Sequence, residues 1–134
     1  MSYLLDTNAC IAIINGSPQG VRRRLRSTLT QGEPVAVSSI ALFELWYVAK
    51  SARAAANTER LAIFLAPLET LPFDDDDARA AGAVRAALEQ AGTPVGAYDT
   101  LLAGQALRRG LILVTANVAE FARVNGLIWQ NWAE

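Results

Sequence analysis

Short apolar segments alternate with longer amphipathic segments along this chain of 134 residues, and the alternation restricts the fold more than any other feature. Apolar runs of two to four residues predict buried strands, and segments with apolar residues at helical spacing predict helices between them. Strands that alternate with helices form a mostly parallel sheet covered by helices. The sequence therefore predicts an α/β sandwich, in which ligands bind beyond the carboxyl ends of the strands.

The pattern places individual strands and helices. Strands are predicted at residues 3–5, 35–37, 69–71, 111–114 and 127–128. Helices are predicted to begin after Asp6 and to cover residues 18–30, 40–55, 58–66, 74–92 and 97–109, with a short one that follows Asn117 and ends near Arg123. Ser38 and Ser39 are expected to cap the helix after the second strand, Thr58 is expected to cap the next helix, and Gly110 closes the helix before the fourth strand.

The composition excludes several kinds of catalytic site. The chain has no His, so it cannot build a Ser-His-Asp or Cys-His pair or the two-His zinc site of metalloproteases. A single Cys, Cys10, can form neither an internal disulfide nor a cysteine-based metal site. Hydrolysis would have to rely on carboxylates, hydroxyls, Lys or Arg side chains, or a bound metal ion.

Length and hydropathy predict the class of protein. At this length a single domain spanning residues 1–134 is expected. Every apolar stretch is interrupted well before the ~18 residues of a membrane span, and residues 1–6 lack the basic start of a signal peptide, so a cytoplasmic protein without membrane association is expected. A mean hydropathy of +0.21 is high for a small monomer and indicates that a partner covers some apolar surface.

Four acidic residues occupy positions where an acid is unusual: Asp6, Glu44, Asp99 and Glu120. Asp6 follows the first strand, Glu44 lies among apolar residues of a helix, Asp99 lies in the first turn of a helix, and Glu120 follows the fourth strand. Each has an ordinary explanation: a helix cap for Asp6, an ion pair with an Arg or a place at the rim of the core for Glu44, the helix dipole for Asp99 and a solvated surface for Glu120. Together, however, they come from separate segments that can meet at one edge of a parallel sheet.

Such a cluster predicts a metal site. Carboxylates without matching cations repel one another, and a hard divalent cation relieves that repulsion. Ligation by oxygen alone favours Mg²⁺ or Mn²⁺, and such an ion can activate water and stabilise charge on a phosphate in transit. Thr115 and Asn117, at the end of the fourth strand, add neutral oxygen ligands or hydrogen bonds.

Two other charged segments are interpreted separately. The acidic run of residues 74–77 is predicted to be a helix start with a solvated face, because consecutive acids point in different directions and cannot share one ion well. The cluster of Arg22, Arg23, Arg24 and Arg26 has two interpretations that the sequence leaves open. It suits binding of an RNA backbone, and it is equally typical of a solvated helix face.

Four segments resemble the motif blocks of one known family. They are residues 3–8 (YLLDTN), 38–45 (SSIALFEL), 95–103 (VGAYDTLLA) and 114–121 (VTANVAEF), and the ending at 126–132 (GLIWQNW) is also similar. They resemble the blocks of PIN-domain ribonucleases, and in particular of VapC-type toxins from bacterial toxin–antitoxin pairs. The resemblance spans nearly the whole chain, with the blocks in the same order.

This resemblance implies a three-layer α/β/α fold with a central parallel sheet, and an endoribonuclease toxin of a type II toxin–antitoxin pair that depends on Mg²⁺ or Mn²⁺. It also implies a homodimer and an antitoxin that covers the active-site groove. Many relatives cut structured RNA, often tRNA. By carry-over, Asp6, Glu44 and Asp99 are the core metal-binding acids. Some PIN proteins have Asp where this chain has Asn117, so Glu120 is expected to supply the fourth acid, and the number of ions stays open.

The expected mechanism is metal-assisted hydrolysis of a phosphodiester, in which the ion activates water because no side chain is an obvious base. Asn117 and Glu120 would orient a second ion or the attacking water, and Thr115 and Thr7 would contact the ligating acids or the phosphate. The alternative is a catalytically silent PIN-like module that binds RNA or a protein, although retention of all four acids argues against it. A magnesium-dependent phosphatase is disfavoured because residues 6–8 (DTN) lack the Asp-x-Asp pattern, and a phosphoacceptor is disfavoured because the late strand ends in Val114 and Thr115 without the Lys it would need.

The antitoxin is expected to contribute an apolar segment and a basic side chain near the acids. Trp46 and Tyr47 are candidate contacts for it, although Trp46 is expected to pack in the core.

Overall fold

A five-stranded parallel sheet forms the centre of the computed structural model, which describes residues 1–51 and 55–133. The strands are β1 (Tyr3–Leu5), β2 (Val35–Ser38), β3 (Glu69–Leu71), β4 (Ile112–Val114) and β5 (Trp129–Gln130). Their order is β3-β2-β1-β4-β5, and every neighbouring pair is parallel. Because β1 pairs with β2 on one side and with β4 on the other, the strand order reverses at β1. Parallel sheets bind ligands at such a point, beyond the carboxyl ends of the strands.

The register of the central strands brings their carboxyl ends to one level. Leu5 is paired with Val37 of β2 on one side and with Val114 of β4 on the other. The residues that follow these partners therefore meet at the same edge of the sheet. Asp6 is one of them, and Thr115 is another.

Helices cover both faces of the sheet. They are α1 (Thr7–Asn15), α2 (Gln19–Thr30), α3 (Ser39–Ser51), α4 (Ala55–Leu65), α5 (Asp75–Gln90), α6 (Ala97–Arg109) and α7 (Val118–Phe121). Successive side chains of β1 point to opposite faces, as strand geometry requires. Tyr3 and Leu5 pack with α1–α4, and Leu4 packs with α5–α7. The predicted three-layer α/β/α fold with a parallel sheet is confirmed.

The small residues of α6 allow close packing on two sides. Ala103 and Ala106 are buried against the sheet beside Leu4. Gly104 instead faces α5, where a Cβ atom would lie 2.4 Å from the Cα of Ala81. The helix that carries Asp99 is therefore in backbone contact with its neighbour.

Several predicted element boundaries differ from the structure. Thr58 lies inside α4 and does not cap it, because the helix already includes the alanines before Thr58, which favour helix. The last strand is Trp129–Gln130, two residues after the predicted segment, because those residues pair with Leu113 and Val114. The helix predicted to run to about residue 55 is observed to Ser51, and residues 52–54 lie outside the described part of the chain.

The predicted caps are partly confirmed. Ser38 accepts a hydrogen bond from the backbone N–H of Ile40 at 3.1 Å, whereas the Ser39 hydroxyl accepts from the N–H of Phe73 at 3.0 Å. Gly110 ends α6 in the left-handed conformation, with φ of 66°. Within residues 1–51 and 55–133, no helix is long and apolar enough to cross a membrane.

The acidic run forms the predicted helix start, but its last member is not solvated. Asp74 and Asp77 form a reciprocal capping box at the start of α5. Asp77 is fully buried and accepts from Arg108 Nε at 2.8 Å and from Arg109 Nη2 at 2.9 Å. The prediction of a solvated face is wrong for Asp77, because the end of α6 lies beside the start of α5 and brings two cations to the carboxylate.

Candidate active site

Asp6 lies at the centre of the acidic cluster. It is 3% exposed, and its Oδ1 accepts a hydrogen bond of 2.7 Å from the backbone N–H of Ala9, so it also caps α1. Burial raises the pKa of Asp6 to about 6, and the charges of Asp99 and Glu44 contribute to the rise. The Thr115 hydroxyl and the Ala9 N–H act in the opposite direction by hydrogen bonding to the carboxylate.

Glu44 reaches the same edge from α3. Its Oε1 accepts a hydrogen bond of 2.6 Å from the Thr7 hydroxyl, which belongs to the first residue of α1. On α3 its neighbours Ala41 and Leu45 are buried in the core, so Glu44 lies at the rim. Among the described residues, no Lys or Arg forms an ion pair with Glu44, so of its two ordinary explanations the ion pair does not apply and the place at the rim of the core does.

Asp99 and Glu120 are joined by an amide. Asn117 Nδ2 donates to Asp99 Oδ2 at 3.3 Å and to Glu120 Oε2 at 3.1 Å. Asp99 lies in the first turn of α6, and Glu120 lies in α7. Burial raises the pKa of Asp99, and the charges of Glu120 and Glu44 raise it further.

The four acids therefore form one electrostatic cluster at the carboxyl ends of β1, β2 and β4. Mutual repulsion couples Asp6 to Glu44 and Asp99, and couples Asp99 to Glu120. In the described part of the chain, every ion pair of a Lys or Arg involves other acids. The cluster is a concentration of negative charge that no cation among residues 1–51 and 55–133 neutralises through an ion pair.

The chemistry of this donor set fits a hard divalent cation. All four acids offer oxygen, and the buried Asp6 has a raised pKa that a cation would lower. Among residues 1–51 and 55–133, however, no three acidic or cysteine side chains already stand close enough to hold one ion. An ion would therefore have to draw these carboxylates closer together than they stand here.

The neutral side chains predicted at the site lie where the acids meet. Thr115 is buried, and its hydroxyl oxygen accepts from the backbone N–H of Asn117 at 2.9 Å. Thr7 contacts Glu44, and Asn117 contacts two acids. The structure thus brings together all six predicted site residues, which are Asp6, Glu44, Asp99, Thr115, Asn117 and Glu120.

Four aromatic side chains lie next to these acids, and the sequence singled out only Trp46 and Tyr47 among them. Phe43 and Tyr98 directly precede Glu44 and Asp99, and their ring centroids are 6.1 Å apart. Both are exposed, as is Tyr47. Trp46 is 37% exposed, so its predicted place in the core is wrong: it lies on the outer side of α3, where Lys50 stacks on it at 5.9 Å. We call Phe43, Trp46, Tyr47 and Tyr98 the aromatic patch.

The arginine cluster of α2 has structural contacts that the sequence did not reveal. Arg22 Nη2 and Arg60 Nη2 donate to the same carbonyl, that of Ile14, at 2.7 and 3.0 Å. Arg24 lies over the ring of Trp132, with its Cζ 5.6 Å from the centroid. These contacts cap the end of α1 and hold the C-terminal segment, and they leave the guanidinium groups exposed.

Comparison with known proteins agrees with this geometry. The sequence matches the PIN domain family over residues 3–127. It is 39% identical over 135 residues to the tRNA(fMet)-specific endonuclease VapC of Salmonella typhimurium, covering 98% of each chain. It is 40% identical over 133 residues to the ribonuclease VapC2 of Rickettsia felis, again covering 98% of each chain.

The fold has equally similar solved counterparts. The crystal structure of VapBC2 from Rickettsia felis bound to a DNA fragment from the promoter superposes with a TM-score of 0.92. Sequence identity in that comparison is 36%, and 98% of this chain and 99% of the other are covered. On the family match, these relatives and the fold, the chain belongs to the PIN-domain family, in its branch of VapC ribonucleases from toxin–antitoxin pairs.

Proposed function

We propose that this chain, as a single nuclease domain of residues 1–134, is the endoribonuclease toxin of a type II toxin–antitoxin pair. It would require Mg²⁺ or Mn²⁺ and cleave structured RNA by hydrolysis of a phosphodiester. The observation that best supports the proposal is the acidic cluster at the edge of the sheet, formed by Asp6, Glu44, Asp99 and Glu120. No Lys or Arg among the described residues forms an ion pair with these acids. A purely structural role would favour partners for these charges.

The four acids would hold the ion. When bound, the ion supplies a Lewis acid that stabilises charge on the phosphate and lowers the pKa of water. Asp6 would be the central ligand, because it is the most buried of the four acids and contacts both α1 and β4. The chain has no His, so no imidazole is available as a general acid or base.

The other polar residues orient the acids. The backbone N–H of Ala9 and the Thr115 hydroxyl hold Asp6, and the Thr7 hydroxyl holds one oxygen of Glu44. These side chains fix carboxylate orientation before an ion arrives, which reduces the entropy lost on binding. Thr7 and Thr115 therefore act as positioning residues.

The proposed substrate is a structured RNA, and a tRNA is the class to test first. The Salmonella typhimurium relative is named as specific for tRNA(fMet). RNA carries negative charge and would be repelled by four bare carboxylates. A divalent ion that neutralises part of the cluster therefore also permits the scissile phosphate to approach.

The proposed partners are an antitoxin and a second copy of the chain. Several solved relatives were crystallised as toxin–antitoxin pairs. The aromatic patch lies beside the acids and exposes 59% of Phe43 and 68% of Tyr47. An antitoxin that lays an apolar segment on the patch could also place a basic side chain among the acids, which would block the ion and the substrate together.

Cleavage of RNA by the purified full chain tests the function. We expect cutting of tRNA(fMet) transcript with Mg²⁺ or Mn²⁺, none in EDTA, and a loss of two or more orders of magnitude for Asp99→Asn, because a metal ligand is lost. Asp75→Asn is the matched control, since Asp75 is exposed at the start of α5. Cleavage that persists in EDTA, or full activity of Asp99→Asn, contradicts the proposal. Binding of RNA without cleavage in either metal would favour a silent RNA-binding module.

A further inference from the structure

We propose that Asn117 is a positioning residue that serves the acidic cluster through its amide N–H groups and not as an oxygen ligand of the ion. This inference rests on the proposed metal site and assigns a specific role to one residue in it. In this role, the Asn117 amide holds Asp99 and Glu120 side by side, so that each keeps an oxygen for the ion.

The hydrogen bonds define which end of the amide faces the acids. One nitrogen, Asn117 Nδ2, lies 3.3 Å from Asp99 Oδ2 and 3.1 Å from Glu120 Oε2. An amide nitrogen has two hydrogens and can donate both, whereas an amide oxygen turned toward two carboxylates would only be repelled. Chemistry therefore supports this orientation of the amide over its flipped form.

The position of Asn117 makes this choice of partners unusual. Asn117 is the N-cap residue of α7, where an Asn side chain ordinarily accepts a hydrogen bond from the helix backbone. Its side chain makes no such bond here. The residue thus forgoes its ordinary capping bond, and its amide is turned toward two acids from different helices.

The backbone holds the amide in this place. The N–H of Asn117 donates to the Thr115 hydroxyl oxygen at 2.9 Å, and the carbonyl of the preceding Val114 accepts from the N–H of Asp6 at 3.0 Å. The backbone of Asn117 is therefore fixed at the end of β4 that adjoins Asp6, and its amide reaches Asp99 and Glu120 from there. Removing the Asn117 side chain would break the link between these two acids without removing any acid.

The hydrogen bonds of Asn117 leave one carboxylate oxygen of each acid available to an ion. Asn117 occupies Oδ2 of Asp99 and Oε2 of Glu120. Within the described residues, Asp99 Oδ1 and Glu120 Oε1 accept no hydrogen bond. The amide also places partial positive charge between two carboxylates that raise each other's energy by repulsion. Both effects hold Asp99 and Glu120 side by side with one free oxygen each, so that less rearrangement is needed when an ion draws the carboxylates together.

Direct titration with Mn²⁺, without RNA, tests the inference on the full chain. We expect Asn117→Ala to bind Mn²⁺ about tenfold or more weakly than the wild type, the range typical for lost partners of metal ligands. Asn125→Ala is the matched control, because Asn125 is exposed on the following segment, and it should bind as the wild type does. Affinity of Asn117→Ala within about twofold of the wild type overturns the inference, even if its folded state is less stable.

A second variant separates donation from ligation. Asn117→Asp removes both N–H donors and adds a third carboxylate next to Asp99 and Glu120. In EDTA it should therefore unfold at a lower temperature than the wild type, because repulsion is added to the lost bonds. Stability of Asn117→Asp equal to or above that of the wild type would mean that the amide does not hold the two acids, and it overturns the inference.

A double-mutant cycle with Glu120→Ala tests whether Asn117 acts through its partner. The loss of Mn²⁺ affinity caused by Asn117→Ala should be smaller in the Glu120→Ala background, since one of its two contacts is already gone. Strictly additive losses overturn the proposed role.

These measurements also separate this inference from the proposed function. A wild type that binds Mn²⁺ but cuts no RNA removes the function, whereas an Asn117→Ala variant with wild-type affinity removes only the inference.

Discussion

At the scale of single residues, the site depends on carboxylates that are buried or lie close to other carboxylates. Asp6 is 3% exposed, and its pKa is raised to about 6, first by burial and then by neighbouring acids. Asp77 is equally buried but has the opposite behaviour. Although burial alone would raise its pKa, hydrogen bonds from Arg109, from the N–H of Asp74 and from Arg108 hold the pKa of Asp77 well below its ordinary value. Among the described residues, Asp6 has no cationic partner, whereas Asp77 pairs with Arg108 and Arg109.

The Asp6 carboxyl predicts a pH dependence of stability in the metal-free protein. Because the folded state holds this proton more tightly than the unfolded state, ionised Asp6 opposes folding. Its contribution becomes unfavourable as pH rises from about 4 to about 6 and stays so above, reaching ~3 kcal/mol for a difference of about two pKa units.

Urea unfolding in EDTA between pH 4 and 7 measures this effect. The stability of Asp6→Asn relative to the wild type should rise across that range, because the variant has no proton to lose there. Addition of Mn²⁺ at pH 7 should stabilise the wild type and not the variant. Parallel stability curves for the two proteins would contradict the assignment.

At the scale of elements, two helices define where Asp99 stands. α6 carries Asp99 at its start and is bound to α5 along its length. Gly104 gives backbone contact with Ala81, and the end of α6 is fastened to the start of α5 through Asp77. Asn117 and Glu120 then meet Asp99 from α7, so the acidic cluster depends on how these elements pack.

A pair of glycine substitutions tests the contact between the two helices. Gly104→Ala should destabilise the protein by about 1–3 kcal/mol, because the new Cβ would overlap the backbone of α5. Gly82→Ala, on α5 where a Cβ meets open space, should instead stabilise by about 0.5–1 kcal/mol, since Ala favours helix more than Gly. Thermal unfolding of both variants measures the difference. Equal effects of the two substitutions would contradict the close packing at Gly104.

The buried Asp77 predicts a second effect at this scale. Asp77→Ala should cost about 3 kcal/mol, near the low end for a broken buried ion pair, because Arg108 and Arg109 keep some contact with water. The neighbouring Asp76→Ala should have little effect on stability, because Asp76 is exposed. The Asp77 contribution is present above the ordinary pKa of an aspartate and disappears as pH falls below it, which is the reverse of Asp6. Denaturation at several pH values measures both variants, and equal losses would contradict the ion pair.

At the scale of the whole molecule, apolar surface remains uncovered on the side of the acids. The aromatic patch lies on α3 and α6, the helices that carry Glu44 and Asp99. Together with the high mean hydropathy of +0.21, this surface indicates that the working form includes a partner.

Sedimentation of the purified chain tests the predicted homodimer. We expect a mass twice the 14.4 kDa of one chain, since association covers apolar surface that a monomer would leave in water. A stable monomer of 14.4 kDa without antitoxin would contradict it.

Added antitoxin should reduce RNA cleavage and protect Tyr47 and Tyr98 from chemical modification, whereas Tyr3, which is buried in the core, serves as the internal control.

Local pattern by itself determined much of this protein. The alternation of apolar and amphipathic segments predicts the α/β class, and four of the five strands lie where the sequence places them. The positions of Asp6 and Thr115 just after predicted strands are enough to expect them at one edge, because parallel strands end together. Such inferences need only periodicity and chain direction, which are properties of neighbouring residues.

Tertiary structure alone decided the partners of individual side chains. Asp77 meets Arg109 across 32 residues, Thr7 meets Glu44 across 37, and Asn117 meets Asp99 across 18. Local sequence is the same whether Asp77 is solvated or buried, and whether Trp46 faces the core or the solvent. The choice depends on which helices lie side by side, and that is set by the packing of the whole sheet and its two helical layers.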